Sequence, residues 1–263
     1  MTQSNKIKKI SPRGYLTYSA HLFKAIFRKY HQELIPIFKQ YIPKDACIID
    51  VGAHAGQFTK MFLNIQPNAH IHAFEPASYT RSILSCMKSL HRLNNVTIVP
   101  LGLGDKTSEL TLNIPIKSSG SLGYGLSHIG EIKEDEKRLT YQETISIITL
   151  DDYIKDNNVE RVDFIKADIE GWELRMLAGA SKTLKKHKPV LFLEINDQFL
   201  GRAGDSAKTM LDFLRDHKYD IFILDNNDGN YALRELSDQA DSSELRGDIL
   251  CVPESKESAK FND

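Results

Sequence analysis

Ala46-Cys47-Ile48-Ile49-Asp50-Val51-Gly52-Ala53-His54-Ala55-Gly56 is the stretch that decides the fold. Cys47 to Ile49 is a short apolar run between Asp45 and Asp50, the pattern of a strand buried on both faces of a parallel sheet. Gly52 and Gly56 permit a tight turn and close approach of backbone to a ligand, and Phe58 to Ile65 continues with helical spacing. A ligand over that turn faces the positive end of the helix and its unpaired N–H groups. The glycines stand four apart with His54 between them, which departs from the dinucleotide pattern G-x-G-x-x-G. That spacing weakens a NAD reading and favours another adenosyl ligand.

Twenty-five positions beyond Asp50 stands Glu75, at the end of the apolar run Ile71-His72-Ala73-Phe74 and before Pro76. A carboxylate at the carboxyl end of a second strand is placed to accept both hydroxyls of an adenosine ribose. The competing role is a cap for the helix that starts near Ser78. Further along, strands are expected at Ala69–Phe74, Val96–Val99, Val162–Ala167, Val190–Ile195, Ile221–Leu224 and Asp248–Val252. Helices are expected at Ser78–Arg92, Glu173–Leu184 and Ser206–His217. Such alternation points to a doubly wound sheet.

Asp50-Val-Gly-Ala-His-Ala-Gly56, Phe74-Glu75-Pro76, Lys166-Ala-Asp168-Ile-Glu170-Gly171-Trp-Glu173 and Leu193-Glu194-Ile195 together resemble the FkbM family of S-adenosylmethionine-dependent methyltransferases. Each motif is weak alone; four in order, with strand–helix spacing between them, are specific. The resemblance implies an α/β fold with a Rossmann-like seven-stranded sheet whose last strand is antiparallel, with an N-terminal helical extension. It divides the chain into an extension (1–41), a methyltransferase domain (42–253) with an insertion or lid at about 115–143, and a polar tail (254–263). It also implies S-adenosyl-L-methionine over the first turn and a hydroxyl acceptor on a sugar, glycan or natural product.

The expected cofactor-binding residues are Asp50, Gly52, Ala53, His54, Gly56, Gln57, Phe58, Thr59, Glu75, Pro76, Gly104, Asp105 and Asp168. Asp105, after the third strand, would accept from the adenine amino group or serve only its own turn. Asp168, Glu170 and Glu194 are the expected catalytic carboxylates. Methyl transfer from a sulfonium is an in-line displacement that needs the acceptor oxygen close, aligned and losing its proton. A carboxylate at the fourth-strand exit can take that proton, orient the hydroxyl, or join the other two in holding Mg2+. Glu173 reads as a first-turn acid favoured by the helix dipole, and Trp172 either lines the acceptor pocket or, the safer reading, packs the helix on the sheet.

Composition agrees with one α/β domain: 263 residues, 41% hydrophobic, are enough for a substantial core. A net charge of -1 makes no case for nucleic acid. Cys47, Cys86 and Cys251 show no metal-ligand spacing and read as thiols of a reducing, cytoplasmic setting. Residues 1–40 nevertheless hold eight Lys or Arg against one acid, Glu33. Leu22, Phe23, Ile26, Phe27, Tyr30 and Leu34 recur there at helical spacing, with a break expected near Pro36. This basic amphipathic helix either docks on the domain or meets an anionic membrane or acidic acceptor. A homodimer is a further open expectation.

Leu110–Ile114 and Thr144–Thr149 alternate like strands around a long polar interval, where Tyr124 and His128 are candidate acceptor contacts. Two rival functions are a NAD-dependent oxidoreductase or epimerase and a non-catalytic binder of an adenosyl ligand. The first lacks both G-x-G-x-x-G and a Tyr-x-x-x-Lys pair, since Tyr15, Tyr79, Tyr124, Tyr141 and Tyr153 have no lysine four residues on. The second is opposed by the retained acids Asp50 and Glu75.

Overall fold

The computed structural model describes residues 12–115, 128–129, 140–227, 230–237 and 245–256. The chain opens with α1 (Pro12–Phe27) and the short α2 (Ile35–Phe38), then runs β1 (Cys47–Val51), α3 (Gln57–Ile65), β2 (His70–Phe74), α4 (Ser78–His91) and β3 (Val96–Val99). Next come β4 (Gly102–Leu103), β5 (Ser108–Pro115), β6 (His128–Ile129) and β7 (Thr140–Ile148). The second half comprises α5 (Leu150–Asp156), β8 (Phe164–Ala167), α6 (Glu173–Ala178), α7 (Ser181–His187), β9 (Val190–Asn196), α8 (Asp197–Arg202) and α9 (Ala207–Asp216). It ends with β10 (Tyr219–Asn227), β11 (Asn230–Glu235) and β12 (Arg246–Pro253).

The main sheet has the order β11-β10-β12-β9-β8-β1-β2-β3. From β3 to β9 all neighbours are parallel, and β12 runs antiparallel to both β9 and β10. The antiparallel last strand stands as expected, but the sheet has eight strands rather than seven. The extra one, β11, folds back on β10 as an antiparallel edge with Phe222 opposite Glu235 and Asn227 opposite Asn230. Tyr231 and Leu233 alternate with polar or small neighbours over only six residues, too short a pattern to stand out in sequence.

Every residue of β1 is buried, as a strand covered on both faces requires. One face packs Ile49 and Val51 with residues such as Ile165, Leu177 and Leu193, and the other packs Ile48 with Phe38, Phe62, Phe164 and Phe192. Leu34, Ile37 and Phe38 belong to that second cluster, so the core continues across residue 41 into the expected extension. The N-terminal helix is also not one piece. It ends at Phe27, and Pro36 lies in the first turn of α2, where its missing N–H costs nothing.

The helix expected over Glu173–Leu184 is split at Gly179, the C-cap of α6, where a Cβ would stand 2.0 Å from the Gly104 carbonyl oxygen. The residue after β4 therefore lies backbone to backbone against the junction of α6 and α7, where only glycine fits. The interval after β4 folds into a second sheet, ordered β4-β7-β5-β6. β5 and β7 pair antiparallel from Ser108 opposite Ile147 to Pro115 opposite Thr140. Leu112, Ile114, Ile145 and Ile147 form a small core with Ala77, at the start of α4. Tyr124 and the His128 side chain lie outside the described residues.

Candidate active site

The carboxyl ends of β1, β2 and β8 converge on a cavity of about 280 Å3. Gly52 follows β1 with φ 70°, and a Cβ on it would stand 2.2 Å from the Asp168 carbonyl oxygen. Only glycine lets the turn after β1 lie directly against the exit of β8. His54 (φ 51°) and Glu170 (φ 55°) are left-handed without being glycine, and both line the cavity. Non-glycine residues held in this way concentrate at ligand sites.

Beneath the turn, Asp50 is fully buried and accepts from Thr59 Oγ1 at 2.6 Å. Its Oδ1 has no hydrogen-bond donor, but Lys166 Nζ stands 3.8 Å away. Lys166 is itself buried, donates to the carbonyls of Val51 and Gly52 at 3.2 Å each, and stands 3.8 Å from Asp168 Oδ2. One ammonium thus joins the β1 acid, the turn backbone and the β8 acid. Burial pushes the Asp50 carboxyl up, against the pull of Lys166 and Thr59.

Glu75 is buried and links the ends of β1 and β2: its Oε2 accepts from His54 N at 2.8 Å and its Oε1 from Ala77 N at 2.9 Å. It therefore orders the turn and caps the entry to α4 while lining the cavity. The Thr80 hydroxyl also bonds the carboxylate, and its remaining acceptor capacity is open to a ligand hydroxyl. His54 is pushed down to about 4, first by burial and then by Lys166, so its imidazole is neutral at physiological pH.

At the β8 exit Asp168 is half exposed and lines the cavity with Glu170. Burial and then Asp168 push Glu170 up to about 7. Glu173 is buried and accepts from Ile169 N at 2.8 Å, so it holds this loop from below. Glu194 is pushed up to about 8, first by burial and then by Asp168, Glu173, Glu170 and Asp248. Asp248, its register partner on β12, is pushed up to about 6 by burial and Asp168.

Of the residues expected to bind the cofactor, Gly52, Ala53, His54, Gln57, Phe58, Glu75, Pro76 and Asp168 line one cavity. Asp50 and Thr59 lie beneath it as support, and Gly56 caps α3. Gly104 packs toward Ile147 and Trp172, and Asp105 is drawn away into an ion pair with Arg175 at 3.3 Å; neither is on the lining. Glu194 is not on the lining either. Among the described residues no group of three or more His, Cys, Asp or Glu is placed to hold a metal ion, so the Mg2+ set Asp168, Glu170 and Glu194 is not assembled.

Sequence reasoning missed His31, Lys166 and the wall of Leu112, Ile129, Ile145 and Ile147 contributed by the second sheet, whereas Trp172 takes the pocket-lining place that was one of its two readings. His31 (φ 56°) stacks on Phe58 with ring centroids 4.2 Å apart. A lysine inside the buried strand Val162-Asp-Phe-Ile-Lys166-Ala was a readable signal, because such a charge needs a partner. His31 offered none, since it lies more than twenty residues before the turn it joins.

A methyltransferase FkbM domain profile matches residues 50–221, from the buried acid Asp50 of β1 to the strand beyond α9. The chain belongs to the FkbM methyltransferase family. It is 24% identical over 194 residues to the 2-O-methyltransferase NoeI of Sinorhizobium fredii, covering 71% of this chain and 76% of that protein. It is 29% identical over 147 residues to Methyltransferase 1 of Beauveria bassiana, covering 52% of this chain and 59% of that one. The methyltransferase FkbM structure from Methylobacillus flagellatus superposes with a TM-score of 0.52 at 16% identity, over 89% of this chain and 54% of that chain. The O-methyltransferase of Bacillus cereus gives a TM-score of 0.50 at 13% identity, over 95% and 93%.

The FkbM chain is thus a methyltransferase dependent on S-adenosylmethionine, and the oxidoreductase reading falls away. Its cavity fits that cofactor in donor chemistry. Glu75 retains acceptor capacity, and Trp172 Nε1 on the wall is a buried donor without a hydrogen-bond partner. The apolar lining from Phe74, Leu101 and Leu103 suits a purine face.

Proposed function

We propose that the enzyme methylates a hydroxyl group on a sugar, glycan or natural-product acceptor, with Asp168 as the group that receives and orients that hydroxyl. The observation carrying this reading is that Asp168, half exposed, shares one cavity with Glu75 and the turn from Gly52 to Phe58. The O-methyltransferase designation of NoeI supports an oxygen acceptor.

When bound, S-adenosylmethionine supplies an electrophilic methyl group on a sulfonium. Glu75 accepts from the ribose hydroxyls while its bonds to His54 N and Ala77 N keep the carboxylate fixed. Lys166 holds the Asp168 carboxylate toward the turn by charge. Asp168 then takes the acceptor proton as the oxygen loses it. Being half exposed, Asp168 can pass that proton on to solvent. Ile145 and Ile147 give the cavity an apolar wall.

The test is calorimetric titration with S-adenosylmethionine followed by transfer of a labelled methyl group to a panel of glycosides and phenolic or polyketide hydroxyls. Micromolar cofactor binding with labelling of a hydroxyl is expected. Labelling confined to nitrogen acceptors would overturn the oxygen assignment.

A further inference from the structure

The segment from Arg28 to Gln32 divides its side chains between two cavities. His31 lines the cofactor cavity, whereas Arg28, Lys29, Tyr30 and Gln32 line a second cavity of about 250 Å3; Gln57 lines both. The second cavity gathers the cations of Arg28, Lys29 and Lys60 with His91, and no acidic residue is among those lining it. Lys60 Nζ donates to the carbonyls of Ala25, Ile26 and Arg28 at 2.8, 2.6 and 3.3 Å, so it caps α1 and is fixed in place. Arg28 and Lys29 are exposed and keep donors for an anion.

Large apolar side chains next in sequence to two of its lining residues are uncovered. Phe27, immediately before Arg28, is 66% exposed, and Leu90, immediately before His91, is 63% exposed. Phe23 (63%) and Leu16 (73%) continue the stripe along α1 at helical spacing, with the Phe23 and Phe27 rings 4.7 Å apart. The opposite face of α1 is already docked on α4: Ala25 is buried, Tyr18 meets Tyr79 edge-on at 5.7 Å, and His21 Nδ1 lies 2.9 Å from the Tyr79 hydroxyl. Soluble proteins seldom leave several large apolar side chains together without a partner.

We propose that this cavity and the outer face of α1 form a docking site for an anionic bilayer, seating phosphate-bearing lipid head groups against Arg28 and Lys29 while Phe23, Phe27 and Leu90 enter the acyl boundary. Charge selects this occupant. A second copy packed on the same face would bring two sets of Lys24, Arg28 and Lys29 together, in a segment with eight cations and one acid over residues 1–40. A free anion would leave the apolar stripe in water. Among the described residues no helix is long and apolar enough to cross a membrane, so contact through α1 is peripheral. His31 follows Phe27 by only four residues and lines the cofactor cavity, so the docking segment runs directly into a wall of that cavity. An acceptor carried on a lipid would then be delivered beside it. That consequence rests on the methyl-transfer reading, whereas the docking itself does not.

The experiment sediments the full chain with vesicles of phosphatidylcholine alone and of phosphatidylcholine with about one-third phosphatidylserine. Phe23→Ser/Phe27→Ser and Lys24→Glu/Lys29→Glu variants are run alongside. Binding to the anionic vesicles alone is expected. The double Phe variant should reduce it about tenfold or more, and charge reversal roughly fivefold for each cation, increasingly so as salt is lowered. Calorimetric affinity for S-adenosylmethionine should stay unchanged in every variant, which shows that each has folded. Failure to bind anionic vesicles, or equal binding to both kinds, overturns the proposal. So does binding abolished by inorganic phosphate but indifferent to the Phe variants, which marks a free-anion site. A dimer converted to monomer by the Phe substitutions marks a self-interface and overturns it too. Absence of cofactor binding in the wild type would instead defeat the functional reading and leave the docking question to the vesicles.

Discussion

Gly52 and Asp168 touch through backbone: a Cβ at position 52 would stand 2.2 Å from the carbonyl oxygen of residue 168. The turn after β1 and the exit of β8 are therefore one structural unit. Gly52→Ala, at φ 70°, must open that contact and strain its own backbone, at about 1–3 kcal/mol. Urea denaturation should register that loss together with weakened cofactor binding. An alanine variant of wild-type stability and affinity would mean that the two loops are not in contact.

Glu75→Ala removes two backbone partners along with the proposed ribose acceptor. S-adenosylmethionine affinity should fall by about 1.5–3 kcal/mol, as for hydrogen bonds to a charged group. Calorimetry on the Ala and Gln variants separates the roles. Glu75→Gln retains one acceptor and should lose less.

Asp168→Asn keeps the shape of the side chain and removes its basicity. Turnover should drop about 10²- to 10⁴-fold, the usual range for a positioned proton acceptor, with cofactor affinity nearly unchanged. Wild-type turnover in this variant would take Asp168 off the reaction path.

Lys166→Met leaves Asp50 fully buried without its cation. Removing one member of such a buried pair costs about 3–5 kcal/mol. The chemical denaturation midpoint should fall accordingly, and Asp50→Asn added to Lys166→Met should recover part of the loss. No recovery in the double variant would mean that the pair is not coupled.

Stability should fall as pH rises from about 6.5 to 8. Glu170, Glu173 and Glu194 are pushed up to about 7, about 7 and about 8, all by burial first. In that interval the native state holds more protons than the unfolded chain, whose carboxyls titrate near 4.5, so raising pH favours unfolding. His54, pushed down to about 4, acts in the opposite sense, but only below its ordinary 6.5. Urea midpoints at the two ends of the interval test this, and Glu194→Gln should flatten the slope. A midpoint that rises with pH in the wild type would contradict the carboxyl assignments.

The amino-acid sequence by itself determined the parallel half of the sheet, the glycine turn, the paired acids Asp50 and Glu75, and the family. Those features are local: a buried strand, a tight turn and a helix start are each written in consecutive residues, and four motifs in order specify the rest. The edge strand β11 was not legible, because six residues with two apolar side chains carry too little pattern. The contact between Gly179 and the Gly104 carbonyl was hidden because the two residues lie far apart in the chain. Only tertiary structure decided which expected residues meet. It set Lys166 between Asp50 and Asp168, drew Asp105 off to Arg175, kept Glu194 away from the cavity lining, and brought His31 in from the N-terminal segment. Charge pairing and burial act through space, and sequence spacing does not encode distances between strand ends and helices that meet only on folding.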